Sequence, residues 1–381
     1  MKITGIICEY NPLHLGHKKQ IDHIRNTVGT DSGIVCLMSG NFVQRGHPAI
    51  LDKMCRAKAA VLSGADLVLE LPVTYALSSA EGFAAGGVRI LSGFCDSLCF
   101  GAETADGSAL LSTAKALLDA HFSDALRKHL DAGLSFPAAR EAALADMGYD
   151  ASLLKTPNNI LAVEYCKAIL NQNSPMQPLP ILRQGCYHDS LPDSENPSAT
   201  AVRALMAGSG WESYIPGQAV PCFKDAPLHM ISSGERAILT RLRTMTDSEF
   251  AALPYGSEGL WRKFMHAARK EATVEDILTA VKSKRYTRTR LDRMLMCAYL
   301  SITAQDLVSP APYTRVLAFN DRGREILKQA KTTGRFPNIG EAQEDAYQLL
   351  EDRCGDLYGL FAVGAPEPPG RERSYRVCYI P

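Results

Sequence analysis

The sequence predicts an α/β fold. A mostly parallel sheet occupies residues 1–210, with a helical insertion over 107–150, and a mainly helical region follows over 211–381. Three observations predict it. Apolar runs of strand length alternate with helical periodicity through the first 100 residues. Those runs are apolar without alternation, so both faces of the sheet must be covered. The alternation then fades beyond Gly208-Ser209-Gly210, and residues 231–305 carry helical periodicity.

Each element has its own local reason. Residues 3–8 (ITGIIC) read as the first strand and 15–28 as the first helix. Residues 33–38 give a second strand, 50–63 a helix, and 66–72 a third strand stopped by Pro72. Residues 80–91 form a helix of small residues, and 97–101 a fourth strand. Helices are expected over 108–132 and 136–147, and another begins at Pro157, a residue suited to the first helical turn. Residues 177–182 are a fifth strand candidate. Near the end, 314–319 reads as a short strand, 321–331 as a helix and 364–370 as a loop. In such sheets ligands bind beyond the carboxyl ends of the strands. Cys8-Glu9, Met38-Ser39-Gly40 and Gly101-Ala102-Glu103 fall there.

Composition narrows the classes. Lys+Arg and Asp+Glu number 41 each, so a polyanionic partner must be sought in local charge rather than net charge. Lys2 is followed by only a short apolar strand before Glu9, so no signal peptide is expected. No apolar run approaches the roughly 18 residues that span a bilayer. The 11 cysteines lack repeated spacing, which fits a reducing cytoplasm. The closest pair, Cys95 and Cys99, has no second pair at zinc spacing and reads as core. No P-loop, no G-x-G-x-x-G after the first strand and no nucleophile elbow is present. P-loop phosphoryl transfer, nicotinamide chemistry and ordinary α/β-hydrolase chemistry are thereby disfavoured.

The chemistry concentrates at His14-Leu15-Gly16-His17, between the first strand and first helix. A turn at a helix start favours anions, and two imidazoles can donate to phosphate oxygens as charge grows on them. A second polar segment, residues 39–53, is too long for a purely structural βα loop, which is usually about 2 to 6 residues. It carries Asn41, Gln44, Arg45 and His47, and Arg56 one turn on either faces the same pocket or simply solvates the helix. Asn158 and Asn159 exceed what helix capping needs. Arg183 ends a strand candidate, a position that suits a phosphate or carboxylate. Ser198, Thr200 and Arg203 open a helix, with Thr200 and Arg203 on one face near its positive end. Residues 261–293 hold ten Lys/Arg against four Asp/Glu. Within that run Lys282, Lys284, Arg285, Arg288 and Arg290 interleave with hydroxyls and with Tyr286, an aromatic that could stack on a base.

Strand, HxGH and helix together resemble the nucleotidyltransferase superfamily. Ser198-x-Thr200-x-x-Arg203 resembles its second signature, with Ala199 where that signature has a serine. The blocks over 5–17, 38–46, 100–103, 157–160 and 284–287 resemble more closely the bacterial tRNA(Met) cytidine acetate ligases, over residues 1 to about 360. That resemblance implies a Rossmann-like nucleotidyltransferase domain, with ATP and acetate giving acetyl-adenylate and pyrophosphate. The acetyl group then passes to N4 of the wobble cytidine of elongator tRNA(Met). It also implies an ATP site on Ile7, Cys8, Glu9, Tyr10, Asn11, Pro12, Leu13, His14, Leu15, Gly16, His17, Lys18, Lys19 and Gln20, with Gly101, one of Asn158 and Asn159, and Arg183. His14, His17, Asn41 and Arg45 are expected to act in catalysis, and Thr200 and Arg203 at the β/γ-phosphates. Mg²⁺ is expected on the phosphates, without a dedicated metal cluster. Lys282 to Arg290 is expected to grip the tRNA. Two other readings stand beside this one: a nucleotidyltransferase acting on a small cofactor precursor, and an inactive RNA-binding relative.

Overall fold

The computed structural model describes residues 1–183, 197–330 and 334–381. Its order begins β1 (Ile3–Cys8), α1 (Leu15–Val28), β2 (Gly33–Ser39), β3 (Phe42–Val43), β4 (His47–Pro48), α2 (Lys53–Leu62), β5 (Leu67–Leu71), α3 (Val73–Ala76), α4 (Ala80–Leu91) and β6 (Ser97–Ala102). Then come α5 (Gly107–Leu118), α6 (Ala120–Asp131), α7 (Phe136–Asp146), α8 (Pro157–Asn171), β7 (Gln177–Leu182) and α9 (Ala199–Leu205). The remainder is α10 (Val220–Phe223), α11 (Glu235–Thr244), α12 (Asp247–Ala251), α13 (Leu260–Lys270), α14 (Val274–Val281), α15 (Arg288–Leu300), α16 (Ala304–Val308), β8 (Val316–Phe319), α17 (Asp321–Ala330), α18 (Ala346–Tyr358), α19 (Arg371–Ser374) and β9 (Cys378–Tyr379).

Seven strands form one sheet in the order β7-β6-β1-β2-β5-β8-β9. β7, β6, β1, β2 and β5 run parallel, in register as Thr4↔Ser97, Cys8↔Met38 and Cys36↔Val68. The chain steps from β1 outward to β2 and β5, then returns to the other side of β1 as β6. That reversal opens a crevice at the carboxyl ends of β1 and β6. The continuous apolar runs are explained by two cores. Ile34, Cys36 and Met38 of β2 face one core, with Ile21 and Ile24 of α1. Val35 and Leu37 face the other, with Phe83 of α4 and Val163 of α8. At Gly87 of α4 an added Cβ would sit 2.4 Å from Ile7 Cδ1, so the small-residue helix is what lets α4 lie so close to β1.

The sheet draws on both sides of residue 210, because β8 pairs antiparallel with β5 and β9 parallel with β8. One expectation is corrected. The helix expected over 108–132 breaks at Asp119, whose extended backbone and carboxylate cap the start of α6 at His121 N–H. The last residue of the helix expected over 321–331 lies outside the described residues.

A third core lies among α11 to α15 and α18. It is built on Met294 to Leu300 of α15 and takes in Phe42, Val73 and Leu77 from the first half. A buried ion cluster closes the joint. Lys53 Nζ lies 2.7 Å from Glu70 Oε1 and 2.6 Å from Glu372 Oε2. Arg315 meets Glu70 at 2.7 Å, Glu372 at 2.9 Å and Glu351 at 3.1 Å. Burial pushes the Glu351 and Glu372 carboxyls up, whereas at Glu70 the Arg315 and Lys53 charges outweigh burial and hold it down.

Candidate active site

His14 is the N-cap of α1. Its Nδ1 accepts the Gly16 N–H at 3.1 Å, while His17 Nδ1 accepts the His14 N–H at 3.3 Å. The two rings stack with centroids 3.7 Å apart. Since each Nδ1 is an acceptor, each neutral ring carries its proton on Nε2. Burial, then the charges of Arg183 and Arg203, lowers His14 to about 3; burial, then His14 and Arg183, lowers His17 well below the usual imidazole value. Both rings are therefore neutral donors at physiological pH, set beside the helix's own N–H groups.

They open on a cleft of about 710 Å³ at the β1/β6 reversal. Ile7, Cys8, Glu9, Tyr10, Asn11, Gly16, Lys19 and Gln20 line it, with Gln44 and Arg45 on one side and Gly101, Asn158, Arg183 and Arg203 on the other. Phe83, Phe100, Tyr165 and Pro180 give it an apolar wall that no sequence pattern announced. Arg203 donates to Asn11 C=O at 2.6 Å and to Thr200 Oγ1 at 3.0 Å, which ties α9 to the turn before the HxGH. Arg183 donates to Asn158 Oδ1 at 3.1 Å. Asn158 in turn donates to Glu103 Oε1 at 2.7 Å, and Glu103 also accepts from Asn159 N–H and Thr156 Oγ1. Glu103 thus fastens the start of α8 to the end of β6. No residue pattern marks it for that task, although its place at a strand's carboxyl end is a usable signal.

Several expected residues lie elsewhere. Asn41 is not in the cleft: it is buried, and its Oδ1 holds the Lys53 N–H at 2.9 Å. Asn159 is likewise turned inward, accepting the Thr104 N–H at 3.0 Å. Leu13 is buried in the core, Lys18 pairs with Asp22, and Pro12, Leu15 and Thr200 stand off the cleft wall. Arg56 neither reaches the pocket nor solvates its helix. It is fully buried and donates to the carbonyls of Glu9, Ser39, Gly40 and Leu51. It thereby ties the end of β1 to the end of β2 and to the turn before α2.

The family model for the HIGH nucleotidyl transferases matches residues 1–366. The tRNA(Met) cytidine acetate ligase of Clostridium novyi is 38% identical over 357 residues, covering 88% of this chain and 89% of that one. That of Halothermothrix orenii is 35% identical over 414 residues, covering 98% of both. This chain belongs to the tRNA(Met) cytidine acetate ligase family. Crystal structures of Thermotoga maritima TmcAL agree over the whole fold. One, without ligand, has a TM-score of 0.90 at 28% identity and covers 100% of both chains. The other, bound with alpha-thio ATP, has a TM-score of 0.88 at 29% identity and covers 100% of this chain and 99% of that one.

For a member of this family, the placement of the basic run matters. Tyr286 is buried against Arg290, so it is not available to stack on a base as expected. Arg288 is spent on Glu275, with both contacts at 2.7 Å, and on Asp292 at 2.8 Å. Arg290 donates to Tyr255 C=O at 2.7 Å. Lys282, Lys284 and Arg285 are exposed, with Arg285 reaching Glu258 at 2.5 Å. The run nevertheless comes near the cleft. At Gly46, where φ is +79°, an added Cβ would meet the backbone of Asp292 and Arg293 at 2.4 Å. Only glycine fits there. The β3–β4 turn that carries Gln44 and Arg45 is thereby seated on α15.

Proposed function

We propose that this enzyme uses ATP and acetate to form acetyl-adenylate and pyrophosphate, then acetylates N4 of the wobble cytidine of elongator tRNA(Met). The observation that carries this reading is the pair of neutral HxGH imidazoles with Nε2–H groups at a helix start, beside Arg183 and Arg203. Acetate attacks the α-phosphate of ATP, and charge grows on that phosphate and on the departing pyrophosphate. His14, His17 and the first N–H groups of α1 meet the former, Arg183 and Arg203 the latter. The apolar wall of Phe83, Phe100 and Tyr165 suits the adenine base. Arg45, on the Gln44 side of the cleft, is assigned to the second substrate. Among the described residues no cluster of three or more His, Cys, Asp or Glu is placed to hold a metal, and the cleft wall offers one carboxylate among several cations. That set fits phosphates rather than a metal cage, so Mg²⁺ would come on the ATP phosphates, where it supplies charge neutralisation.

The tRNA is gripped by Lys282, Lys284 and Arg285, ahead of the helix on which the cleft loop sits. Residues 1–210 and 211–381 divide the labour as activating and tRNA-holding parts, the latter lending β8 and β9 to the sheet. Among the described residues no helix is long and apolar enough to cross a membrane, and we place the enzyme in the cytoplasm. The test is incubation with ATP and labelled acetate, with and without tRNA. Acetate-dependent ATP–pyrophosphate exchange and label on tRNA(Met) are expected. Acetate-independent transfer of AMP from α-labelled ATP to a pantetheine or nicotinamide precursor, with pyrophosphate released, would overturn the reading in favour of a cofactor transferase.

A further inference from the structure

The acyl-transfer step releases a proton from the attacking amine, and that proton needs an acceptor in the cleft. We propose that the Glu9 carboxylate is the general base that accepts the N4 proton during acetyl transfer. Glu9 is the only Asp or Glu among the described residues that line the cleft. It is firmly held: Oε1 accepts the Gln44 N–H at 2.9 Å, and the Glu9 carbonyl accepts from Arg56 Nη1 at 2.7 Å. Oε2 makes no hydrogen bond among the described residues, so one oxygen of a fixed carboxylate is left for a substrate. Its place is also right. Glu9 contacts the β3–β4 turn, the part of the cleft rim seated on α15, the helix that directly follows the 282–285 segment.

The other lining groups are unsuited. His14 and His17 have Nδ1 committed and Nε2 already protonated. Burial keeps the Tyr10 and Tyr165 hydroxyls and the Cys8 thiol protonated. His23 is exposed at the rim, about 9 Å along α1 from His17 at 1.5 Å per residue.

The step balances. N4 attacks the acetyl carbonyl carbon, a C–N bond forms, and the C–O bond to phosphate breaks with its electron pair leaving on AMP. The proton passes from N4 to Glu9 Oε2 and from there to solvent. An amine that has just attacked a carbonyl is a strong acid, so a carboxylate held within reach can take its proton.

This inference rests on the acetyl-adenylate reading, and the experiment separates the two. Wild-type, Glu9→Gln and Glu9→Asp enzymes are given ATP and acetate, and the activated acetyl group is intercepted either by tRNA or by hydroxylamine. Hydroxylamine supplies its own proton acceptor. In Glu9→Gln the ratio of tRNA acetylation to acetyl-hydroxamate should fall by about 10²- to 10⁴-fold, the usual worth of a general base. Glu9→Asp, which keeps a carboxylate, should recover part of it. An unchanged ratio in Glu9→Gln, whether both products persist or both decline together, overturns the role of Glu9. A wild-type enzyme that makes no hydroxamate overturns the acetyl-adenylate reading instead.

Discussion

Two charged regions of this molecule are built on opposite principles. The cluster of Lys53, Arg315, Glu70, Glu351 and Glu372 matches two cations with three carboxylates out of water. The cleft wall sets Lys19, Arg45, Arg183 and Arg203 against Glu9 alone among the described residues. The first region answers its own charge and joins residues 53, 70, 315, 351 and 372 into one body. The second, among the described residues, gathers more cations than carboxylates around an open cleft, an arrangement that suits an anionic substrate. Buried charge alone therefore does not mark a functional site; the balance of signs does. Removing one member of the closed cluster should be the largest effect available. Lys53→Met leaves Glu70 and Glu372 facing each other, and should cost about 3–5 kcal/mol of stability, read from the urea midpoint. A loss under about 1 kcal/mol would break the comparison.

In the cleft, the corresponding substitution should cost rate rather than stability. His14→Asn keeps a side-chain oxygen able to cap α1 but loses the Nε2–H aimed at phosphate. Acetate-dependent ATP–pyrophosphate exchange should fall about 10²- to 10³-fold, as when one oxyanion donor is removed. Thermal midpoints of the two proteins should agree. A lowered midpoint with exchange intact would make His14 a helix cap and no more.

The difference between the regions also explains what the sequence disclosed. The HxGH was legible because its parts lie within four residues, directly after a strand whose burial is written in ITGIIC. Arg203 was legible because Thr200 and Arg203 share one helical turn. The ion cluster draws on residues up to 319 positions apart, so no local spacing announces it. Asn41 and Arg56 misled for a related reason: residue type suggested ligand contact, but their partners are backbone groups of neighbouring turns. In the basic run, charge could be counted but not its pairing. That is why Arg288 and Tyr286 were expected at the RNA and are found occupied or buried.

A smaller effect follows from the imidazoles themselves. His14 is lowered to about 3 and His229 to about 4, each first by burial, and His17 is lowered well below its usual value. A histidine whose folded pKa lies below its unfolded value of about 6.5 binds its proton more readily when unfolded. Stability is therefore unaffected by these groups above about pH 6.5 and falls as pH drops below it, by up to about 1.4 kcal/mol per unit per histidine. Urea unfolding at pH 7 and pH 5 should show this loss, and His14→Asn should shrink it by one share. A flat profile would mean that these rings are not held neutral.

The finest division lies within the basic run, between Arg288, held on two sides, and the exposed Lys284 and Arg285, of which Arg285 has one surface partner, Glu258, and Lys284 has none among the described residues. Lys284 and Arg285 are exposed, whereas Arg288 is bound on two sides by Glu275 and Asp292. Changing both Lys284 and Arg285 to alanine should raise the apparent Kd for tRNA several-fold. It should also lower the slope of log affinity against log salt by about 1.4, since each phosphate neutralised on single-stranded RNA is worth roughly 0.7. Arg288→Ala should leave that slope alone and instead lower the melting temperature, because its charge answers carboxylates of α14 and α15 rather than phosphates. Equal slope changes in the two proteins would show that pairing within the protein does not decide which cations meet the RNA. The rule that separates the cleft from the ion cluster would then stop at the surface, where water screens both partners and an arginine can exchange a carboxylate for a phosphate at little cost.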